Sequence, residues 1–240
     1  HRWTWLLMVE INIQGSSSAG NNYLLADGNS SLMLEAGLKP KDIMKQGINF
    51  SNIQGLLVTH EHGDHSKYIN DILLAGRFDV WASRGTLEAL GINRRSHILK
   101  ANQQQKIGDW LVKPFATIHD DKKARAREPL GFLILSPSGK KIVFATDTNY
   151  LPKTFKDVTH WLVECNHDIK LVRQSKLPKS VQDRILRTHM SIDACKKFFQ
   201  STDLTKTEEI YLIHLSDKNS DPEKFKEEIE KITNKKIIIA

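Results

Sequence analysis

Short runs of alternating hydrophobic and polar residues fill the first part of the chain, and this alternation is typical of half-buried strands. The runs are Val9–Ile13, "NYLLAD" and "SLMLEAG", with clusters of Gly, Asn and Ser between them. "PKDIMKQGI" predicts a short helix that Pro40 opens, and the apolar "GLLVT" predicts a strand buried on both faces. A further helix is predicted at Lys67–Leu74.

The strand pattern returns at Asp79 and then mixes with helices. The strand-like runs are "DVWAS", "HILK", "DWLVKPFATI", "GFLILSPSG" and "KIVFATD", with a hairpin turn at Ser136–Lys140, and later "THWLVEC" and "EEIYLIHLS". Helical periodicity follows Pro178, Ser191 and Pro222. Strand-rich halves with helices placed after strands predict an α/β sandwich of sheets covered by helices.

The length and composition of the chain favour one globular domain. The chain has 240 residues, 40% of them hydrophobic, and contains no linker-like segment and no repeat. We therefore expect a single domain over residues 8–240. Met8 fits a natural start, so residues 1–7 are expected to be an upstream extension, either natural or introduced for expression.

Charge and cysteine content limit the partners and the compartment. The formal net charge of +7 favours encounters with polyanions, because a positive field speeds their approach. Cys165 and Cys195 are too few for a disulfide framework, which fits a reducing, cytoplasmic location. No apolar run approaches the roughly 18 residues of a membrane span, so no membrane partner is expected. The oligomeric state stays open, with a homodimer as one candidate.

The segment "VTHEHGDHSKY" concentrates histidines and carboxylates directly after an apolar strand. His60 and His62 are two positions apart in an extended segment, so their side chains lean to the same side and can share one ion. Gly63 lets the backbone turn, and Asp64 and His65 then suit a second ion. A helical H-E-x-x-H zinc motif is excluded because Asp64 occupies the position of its second histidine.

Three more residues of metal-binding types lie near the ends of apolar strands. His119 follows "FATI", Asp147 follows "IVFAT" and His214 follows "IYLI". Together with the cluster after "GLLVT" they make five histidines and two aspartates. This set is sufficient for two ions, with Asp147 between them and one position open to water.

The order of these residues resembles the metallo-β-lactamase-fold hydrolases. The HxHxDH signature of that family matches His60, His62, Asp64 and His65, and its later motifs match His119, Asp147 and His214. The resemblance extends in order over about Val9–Ser216, and it implies an αββα sandwich of two mixed sheets flanked by helices. One departure is Glu35 in "LEAG", where the family usually has Asp; this affects the packing of the loop more than metal binding.

The resemblance also implies the ligand sets and the cofactors. His60, His62 and His119 are expected to hold one metal, Asp64, His65 and His214 the other, with Asp147 shared. Two divalent ions per chain are expected. Nitrogen-rich ligation favours zinc whereas the carboxylates tolerate manganese, so both metals remain candidates.

Between Asp147 and His214 the sequence contains a further carboxylate and a further imidazole: Glu164 in "WLVECNHD" and His189 in "RTHMS". This pairing can hold the imidazole protonated for donation to a leaving oxygen. The order is similar to that of the phosphodiesterase branch of the family, including tRNase Z, although Val163 replaces the histidine that tRNase Z has before its Glu. The nearer match is to the WalJ (YycJ) type exonucleases, through "GSSSAGNNYLL", "EPLGF", "ECNHD", "THMS" and "IHLSDKNS".

Basic residues near these motifs are candidates for phosphate contacts. The run "KKARAR" lies between His119 and "EPLGF", and a second basic segment precedes His189. His167 is expected to be exposed to solvent, and His97 and His160 are expected to be surface residues. The candidate substrate-binding residues are Lys122, Lys123, Arg125, Arg127 and Ser191, and the second segment comprises Lys170, Arg173, Lys176 and Lys179.

The hypothesis is therefore a dinuclear-metal phosphodiesterase that acts on a nucleic acid or nucleotide, similar to a 5′–3′ DNA exonuclease. A water activated by the metals attacks phosphorus and is oriented by Asp64, while His189, backed by Glu164, stabilises charge or protonates the leaving oxygen. The alternatives are a phosphodiesterase for cyclic nucleotides or other small substrates, a thioesterase similar to glyoxalase II or a lactonase, and a non-catalytic binding module.

Overall fold

The computed structural model describes residues 9–119, 126–151 and 154–240. The first sheet contains six strands that neighbour one another in chain order. The first three strands pair antiparallel, and the third to sixth pair parallel. These strands are β1 (Glu10–Ser17), β2 (Gly20–Asp27), β3 (Ser30–Leu34), β4 (Ile53–Leu57), β5 (Val80–Ser83) and β6 (Ser96–Leu99).

The second sheet contains seven strands, also in chain order across the sheet. The first four of these strands pair antiparallel, and the last four pair parallel. Both sheets are therefore mixed. The strands are β7 (Gln105–Ile107), β8 (Trp110–Ala116), β9 (Leu130–Leu135), β10 (Lys141–Ala145), β11 (His160–Glu164), β12 (Glu209–Ile213) and β13 (Lys236–Ile239).

Helices lie in the connections between parallel strands, except in the described part of the connection from β10 to β11, and they cover the outer faces of both sheets. No helix in the described part of the chain combines the length and apolarity needed to cross a bilayer. The helices are α1 (Pro40–Lys45), α2 (Gly63–Ser66), α3 (Ile69–Ala75), α4 (Arg84–Leu90), α5 (Ile169–Gln174), α6 (Lys179–Thr188), α7 (Ile192–Gln200) and α8 (Pro222–Thr233), with a single 3₁₀ turn at Phe50–Asn52.

The central core lies between the two sheets, because alternate residues of each strand face the other sheet. Tyr23 of β2 meets Phe144 of β10 edge to face, with ring centroids 5.1 Å apart. Trp110 of β8 is fully buried, and its Nε1 donates to Oγ of Ser30 on β3 over 2.9 Å. Each large apolar side chain buried in this way contributes about 1.5–3 kcal/mol, so this layer fixes the two sheets against each other.

The αββα arrangement predicted from the sequence is confirmed, and every strand-like run contains a strand. The helix predicted at Lys67–Leu74 is α3, which begins two residues later because α2 precedes it and Tyr68 leaves the helical region. The expectation that His160 lies on the surface was wrong. His160 is the first residue of the interior strand β11, it is buried, and its Nδ1 lies 2.9 Å from Oγ1 of Thr159.

Candidate metal centre

The loop between β4 and α3 presents four of the candidate ligands. His60 and His65 are buried, and the cap residue His62 precedes α2, which starts at Gly63. Oγ of Ser66 closes the turn by donating to the carbonyls of Glu61 and His62 over 2.8 and 2.9 Å. The hydroxyl of Ser66 therefore holds the turn that carries these ligands.

The second sheet brings the other candidate ligands to the same edge of the sandwich. In the parallel strands β10, β11 and β12, Ala145 pairs with Val163, which pairs with Leu212. Because the carboxyl ends of these strands are aligned, Asp147 and His214 emerge side by side. His119 follows β8, which runs in the same direction as β10, and so reaches the same edge.

The first group of candidate ligands contains one atom each from three histidines and one aspartate, all within 4.8 Å of one another: His60, His62, His119 and Asp147. Nδ1 of His62 lies 3.1 Å from Nε2 of His119. Oδ2 of Asp147 lies 3.8 Å from Nε2 of His60 and 3.7 Å from Nε2 of His119.

In the second group, too, one ligand atom from each residue lies within 4.8 Å of the others, and Asp147 belongs to both groups. Its members are Asp64, His65, Asp147 and His214. Oδ2 of Asp64 lies 3.2 Å from Nε2 of His65 and 3.4 Å from Nε2 of His214. Oδ1 of Asp147 lies 3.3 Å from Nε2 of His65. Asp147 therefore presents one oxygen to each group, and the sequence-predicted sets are brought together as two adjacent clusters.

These clusters fit a divalent metal in both spacing and chemistry. Donor atoms about 2.0–2.1 Å from a tetrahedral zinc are about 3.3–3.4 Å apart, and several of the distances above are close to this value. Nε2 of His60 is buried and has no hydrogen-bond partner among the described residues. A buried nitrogen without a partner is costly in a purely structural cluster, whereas a cation would satisfy it.

Neighbouring side chains orient the imidazoles. Oγ1 of Thr59 lies 2.9 Å from Nδ1 of His60, and Oε1 of Glu164 lies 3.1 Å from Nδ1 of His214. Each contact leaves Nε2 of the histidine directed into the cluster. Such outer partners fix the ring orientation and tautomer of a metal ligand.

Two further residues contact the second cluster and were not identified from the sequence in that role. Nδ2 of Asn21 lies 3.3 Å from Oδ2 of Asp64 and 3.4 Å from Nε2 of His65. Glu35 is fully buried, with Oε1 3.5 Å from Nδ1 of His65. Both contacts join segments far apart in sequence, although Asn21 lies in the quoted "GSSSAGNNYLL" run.

Three residues at these strand ends have a left-handed backbone although none of them is glycine. The φ angles are 64° for Glu35, 47° for Asp147 and 56° for His214. Such conformations cost about 1–3 kcal/mol each and persist where the surrounding structure imposes them. Backbone strain is therefore concentrated where the strands deliver their functional side chains.

The carboxylates of the clusters are ionised. Burial raises the pKa of Asp64, but hydrogen bonds from His214 and His65 outweigh burial and hold the pKa well below its usual value. Burial likewise raises the pKa of Asp147, and the charges of His214 and His65 outweigh it to give a pKa well below the usual value. Two negative charges are thus held in a largely buried space.

The histidines fall into two classes. Burial lowers the pKa of His60 and of His119, which keeps both imidazoles neutral as metal coordination requires. Burial also lowers the pKa of His65 and of His214, but the negative charges of nearby carboxylates raise the pKa by more. The pKa of His65 is well above its usual value, and that of His214 is raised to about 10.

Beside the clusters, Glu164 and His189 form a close pair. Nδ1 of His189 lies 2.6 Å from Oε1 of Glu164, and the backbone amides of Thr148 and Met190 donate to Oε2. Burial lowers the pKa of His189, but the charge and hydrogen bond of Glu164 raise it overall above the usual value. His189 is therefore protonated more readily than a free imidazole, with Nε2 left for other contacts.

A cavity of about 340 Å³ opens over both clusters, and His119, Asp147, His189 and His214 line it. Among the candidate substrate contacts, Arg127 is exposed and shares a second cavity, of about 800 Å³, with His119. Its backbone amide donates to Oε1 of Glu61 over 2.8 Å. The remaining basic candidates of that run, Lys122, Lys123 and Arg125, lie outside the described residues.

Ser191 begins α7 as its cap, with Oγ accepting from the amide of Ala194 over 3.2 Å, and it is buried. Its role as a substrate contact stays a prediction. The expectation that His167 is exposed was wrong: its backbone forms a bridge with Ser191, and the residue is buried. His97 is a surface residue as expected, with its ring stacked on Trp81 at 4.0 Å.

The second basic segment is partly neutralised. Asp183 on α6 lies 3.2 Å from Nη1 of Arg173 and 3.2 Å from Nζ of Lys179. Lys170 and Lys176 are exposed. The structure adds one basic residue that the sequence argument did not single out, Arg184 on α6, which lines the cavity over the clusters.

Known proteins share both the sequence pattern and the architecture. Exodeoxyribonuclease YycJ of Bacillus anthracis is 29% identical over 226 residues, which cover 87% of this chain and 83% of that protein. Exodeoxyribonuclease WalJ of Streptococcus pneumoniae serotype 2 is 26% identical over 227 residues, covering 87% and 82%. The resemblance to this type of protein predicted from the sequence is confirmed.

The solved structure of the metallo-β-lactamase fold protein YhfI from Bacillus subtilis superposes with a TM-score of 0.72 at 14% identity, covering 97% of each chain. A family model described as the beta-lactamase superfamily domain matches residues 31–215. Because this match covers more than half of the chain and the two-sheet architecture agrees with it, the chain belongs to the beta-lactamase superfamily and is a hydrolase of the metallo-β-lactamase fold.

Proposed function

We propose that the protein is a dinuclear-metal phosphodiesterase, and specifically a nuclease that resembles a 5′–3′ DNA exonuclease. The observation that carries the proposal is the pair of Glu164 and His189 at the edge of the metal-binding clusters. A protonated imidazole in that position suits cleavage of a phosphodiester, because the departing alkoxide needs a proton. The names of the relatives, both exodeoxyribonucleases, support the same substrate class.

The geometry supports the following roles for the residues. His60, His62, His119 and Asp147 would hold one divalent cation, and Asp64, His65, His214 and Asp147 the other. When bound, the two cations, zinc or manganese, supply activation of the attacking water and neutralisation of charge on the phosphate. Asp64, largely buried at the edge of the cavity, orients the attacking water in addition to its place in the second cluster.

His189 acts on the other side of the scissile bond. Its Nδ1 is occupied by Glu164, so Nε2 is the atom that donates a proton to the leaving oxygen. Glu164 is fully buried and accepts from two backbone amides, which keeps its carboxylate in position while the proton moves. General acid catalysis of this kind contributes typically about 10²–10⁴-fold in rate.

Nucleic acid is the proposed partner, and the cytoplasm the proposed location. The net charge of +7 favours association with a polyanion. Cys165 and Cys195 are both free and buried, which is compatible with a reducing compartment.

The test is a panel of end-labelled DNA and RNA strands incubated with zinc or manganese, in which wild type is compared with His189→Ala. We expect the variant to retain its bound metal and to lose about 10²-fold or more in kcat. His97→Ala is the matched control, because His97 is an exposed histidine stacked on Trp81 and lies outside both clusters.

Two outcomes would contradict the proposal. Turnover of a thioester or lactone without cleavage of bis-p-nitrophenyl phosphate would assign the site to acyl hydrolysis. Opening of cyclic mononucleotides without cleavage of any strand would restrict the site to small substrates.

A further inference from the structure

Two cavities adjoin on one side of the metal centre. The cavity of about 800 Å³ that contains His119 is also lined by Ala116 and Pro129. A further cavity, of about 420 Å³, is lined by the same Ala116 and Pro129 and extends to Lys100 and Arg84. We call these two cavities together the side groove. It begins at a candidate metal ligand and leads past the end of β8 toward the end of β6 and the start of α4.

Three basic residues line the side groove. Arg84, Lys100 and Arg127 are all exposed to solvent. Nη1 of Arg84 lies 3.9 Å from Oε1 of Glu88, but this is an exposed pair one helical turn apart, and such pairs contribute little to stability. Arg84 can therefore exchange this contact for a phosphate with little loss of free energy.

Glu128 is the one acidic side chain among the described residues that line the side groove. Its Oε2 accepts a hydrogen bond from the backbone amide of Gly85 over 2.9 Å. The carboxylate is therefore directed toward the backbone of α4 and partly satisfied there. The basic side chains outnumber it, so the groove as a whole favours an anionic ligand.

Apolar side chains are exposed between the basic ones. Ile98 lines one cavity of the groove and is 39% exposed, and Ile118 lines the other and is 37% exposed. Nucleobases can pack on such side chains because every base has a π-face, while their phosphates meet the basic residues. A single nucleic acid strand offers both kinds of contact, whereas an acidic peptide matches the basic residues alone.

We infer that the side groove binds the part of a nucleic acid single strand that lies beyond the phosphodiester at the metal clusters. This inference rests on the proposed function and locates the bound strand on one side of the sandwich. Arg84, Lys100 and Arg127 contact phosphates, and Ile98 and Ile118 contact bases. A strand of several nucleotides is then bound more tightly than a dinucleotide, which ends before it reaches Arg84 and Lys100.

The first test is a binding measurement on metal-loaded protein that carries His189→Ala, in which cleavage is slow. Fluorescence anisotropy reports the affinity for a labelled oligothymidylate of about 12 nucleotides, a length that single-strand grooves commonly cover. Arg84→Glu combined with Lys100→Glu should weaken this affinity at least about 10-fold, because two phosphate contacts become repulsive. Arg84→Gln combined with Lys100→Gln should reduce the slope of log affinity against log salt concentration by about 1.4, or about 0.7 for each lost contact.

Arg77→Glu combined with Lys41→Glu is the matched control. Both residues are exposed and line neither cavity of the side groove, and the double variant changes the net charge by the same amount. It should retain the affinity within about threefold. An equal loss in the two charge-reversed variants would assign the binding to net charge, and no loss in Arg84→Glu with Lys100→Glu would remove the strand from the groove. Either result would overturn the inference.

Hydrolysis distinguishes the side groove from the metal centre. With His189 intact, the charge reversal at Arg84 and Lys100 should lower kcat/KM on the long strand at least about 10-fold through a raised KM, and on a thymidine dinucleotide by less than about threefold. An equal fall on both substrates would contradict a groove beyond the scissile bond. Absence of hydrolysis on every strand would instead count against the proposed nuclease, whereas the difference in binding would still support the groove.

Discussion

Glu164 connects two histidines that have different tasks in the proposed mechanism. Its Oε1 lies 2.6 Å from Nδ1 of His189 and 3.1 Å from Nδ1 of His214. Burial raises the pKa of Glu164, but the charge of His189 and the hydrogen bonds from both imidazoles lower it overall. The carboxylate therefore stays ionised in a fully buried position, which requires both of its imidazole partners.

Glu164→Gln tests the link to the proton donor. Without the negative charge, the pKa of His189 falls, so the imidazole loses its proton at a lower pH. The alkaline limb of the pH profile of kcat/KM should shift to lower pH, and the maximal kcat/KM should fall about 10- to 100-fold, as for other partners of ligand histidines.

Metal content provides the control for this prediction, because Glu164 also contacts His214. The comparison is made at equal occupancy of the clusters, measured by elemental analysis. An unchanged alkaline limb at equal occupancy would mean that His189 does not depend on Glu164 for its proton.

The candidate ligands were predictable from the sequence for a local reason. Each follows an apolar strand, and the four in "HEHGDH" lie within six positions of one another. The contacts of Asn21 with Asp64 and of Glu35 with His65 were not predictable in the same way, because they span distant segments and depend on how the strands of the first sheet are placed. Arg184 was missed because a single arginine on an exposed helix carries no local signal.

The connection that follows β3 is hydrogen-bonded to the loop that carries His62, Asp64 and His65. Backbone hydrogen bonds join Ala36 to the carbonyl of His65 over 2.6 Å and Tyr68 to the carbonyl of Ala36 over 2.9 Å. A Cβ added at Gly37 would lie 1.9 Å from the carbonyl oxygen of Asp64. This close approach requires glycine, so Gly37 is a steric determinant of the loop position.

Gly37→Ala should therefore displace Asp64 and His65 and weaken metal binding at the second cluster. We expect at least a 10-fold loss of affinity in competition with a fluorescent chelator, because small errors in ligand geometry have effects of this size. Gly63→Ala is the matched control, since an added Cβ there meets nothing within 4 Å and Gly63 has no left-handed backbone.

Equal metal affinity in the two alanine variants would contradict the steric argument.

Gly63 was expected from the sequence to provide a special turn. The structure shows that the turn is the start of α2 instead, so glycine is not needed there for its backbone freedom.

The elements that the sequence did not predict are short, although β5 and β6, of four residues each, were predicted. Strands β7 and β13 have three and four residues and no alternation that would mark them as strands. Helix α4 was also missed, although Ser83 caps it by accepting from the amide of Thr86 over 3.1 Å. A serine before a helical run is a start signal that the sequence does contain.

The sandwich as a whole brings the two ligand sets together. The first sheet provides the "HEHGDH" loop, and the second sheet provides His119, Asp147 and His214. Among the described residues, neither sheet contains a complete cluster. Metal bound at this edge therefore links the two sheets and should stabilise the folded protein by mass action.

Removal of metal should lower the melting temperature. A ligand present at 100 times its Kd contributes about 2.7 kcal/mol, which for a domain of this size corresponds to about 5–11 °C. Differential scanning calorimetry of metal-loaded protein before and after treatment with a chelator measures this shift. Asp147→Asn, which removes a carboxylate from both clusters, should be insensitive to the chelator, and His97→Ala should respond like wild type.

The position of Glu164 between His189 and His214 has a thermodynamic corollary. Protons compete with cations for His214, whose pKa is raised to about 10 by its carboxylate neighbours against the effect of burial. Occupancy of the second cluster and the protonation of His189 are then reciprocally linked through one carboxylate: each changes the free energy of the other by the same amount. A cation in the second cluster should therefore lower the pKa of His189, and protonation of His189 should weaken the binding of that cation.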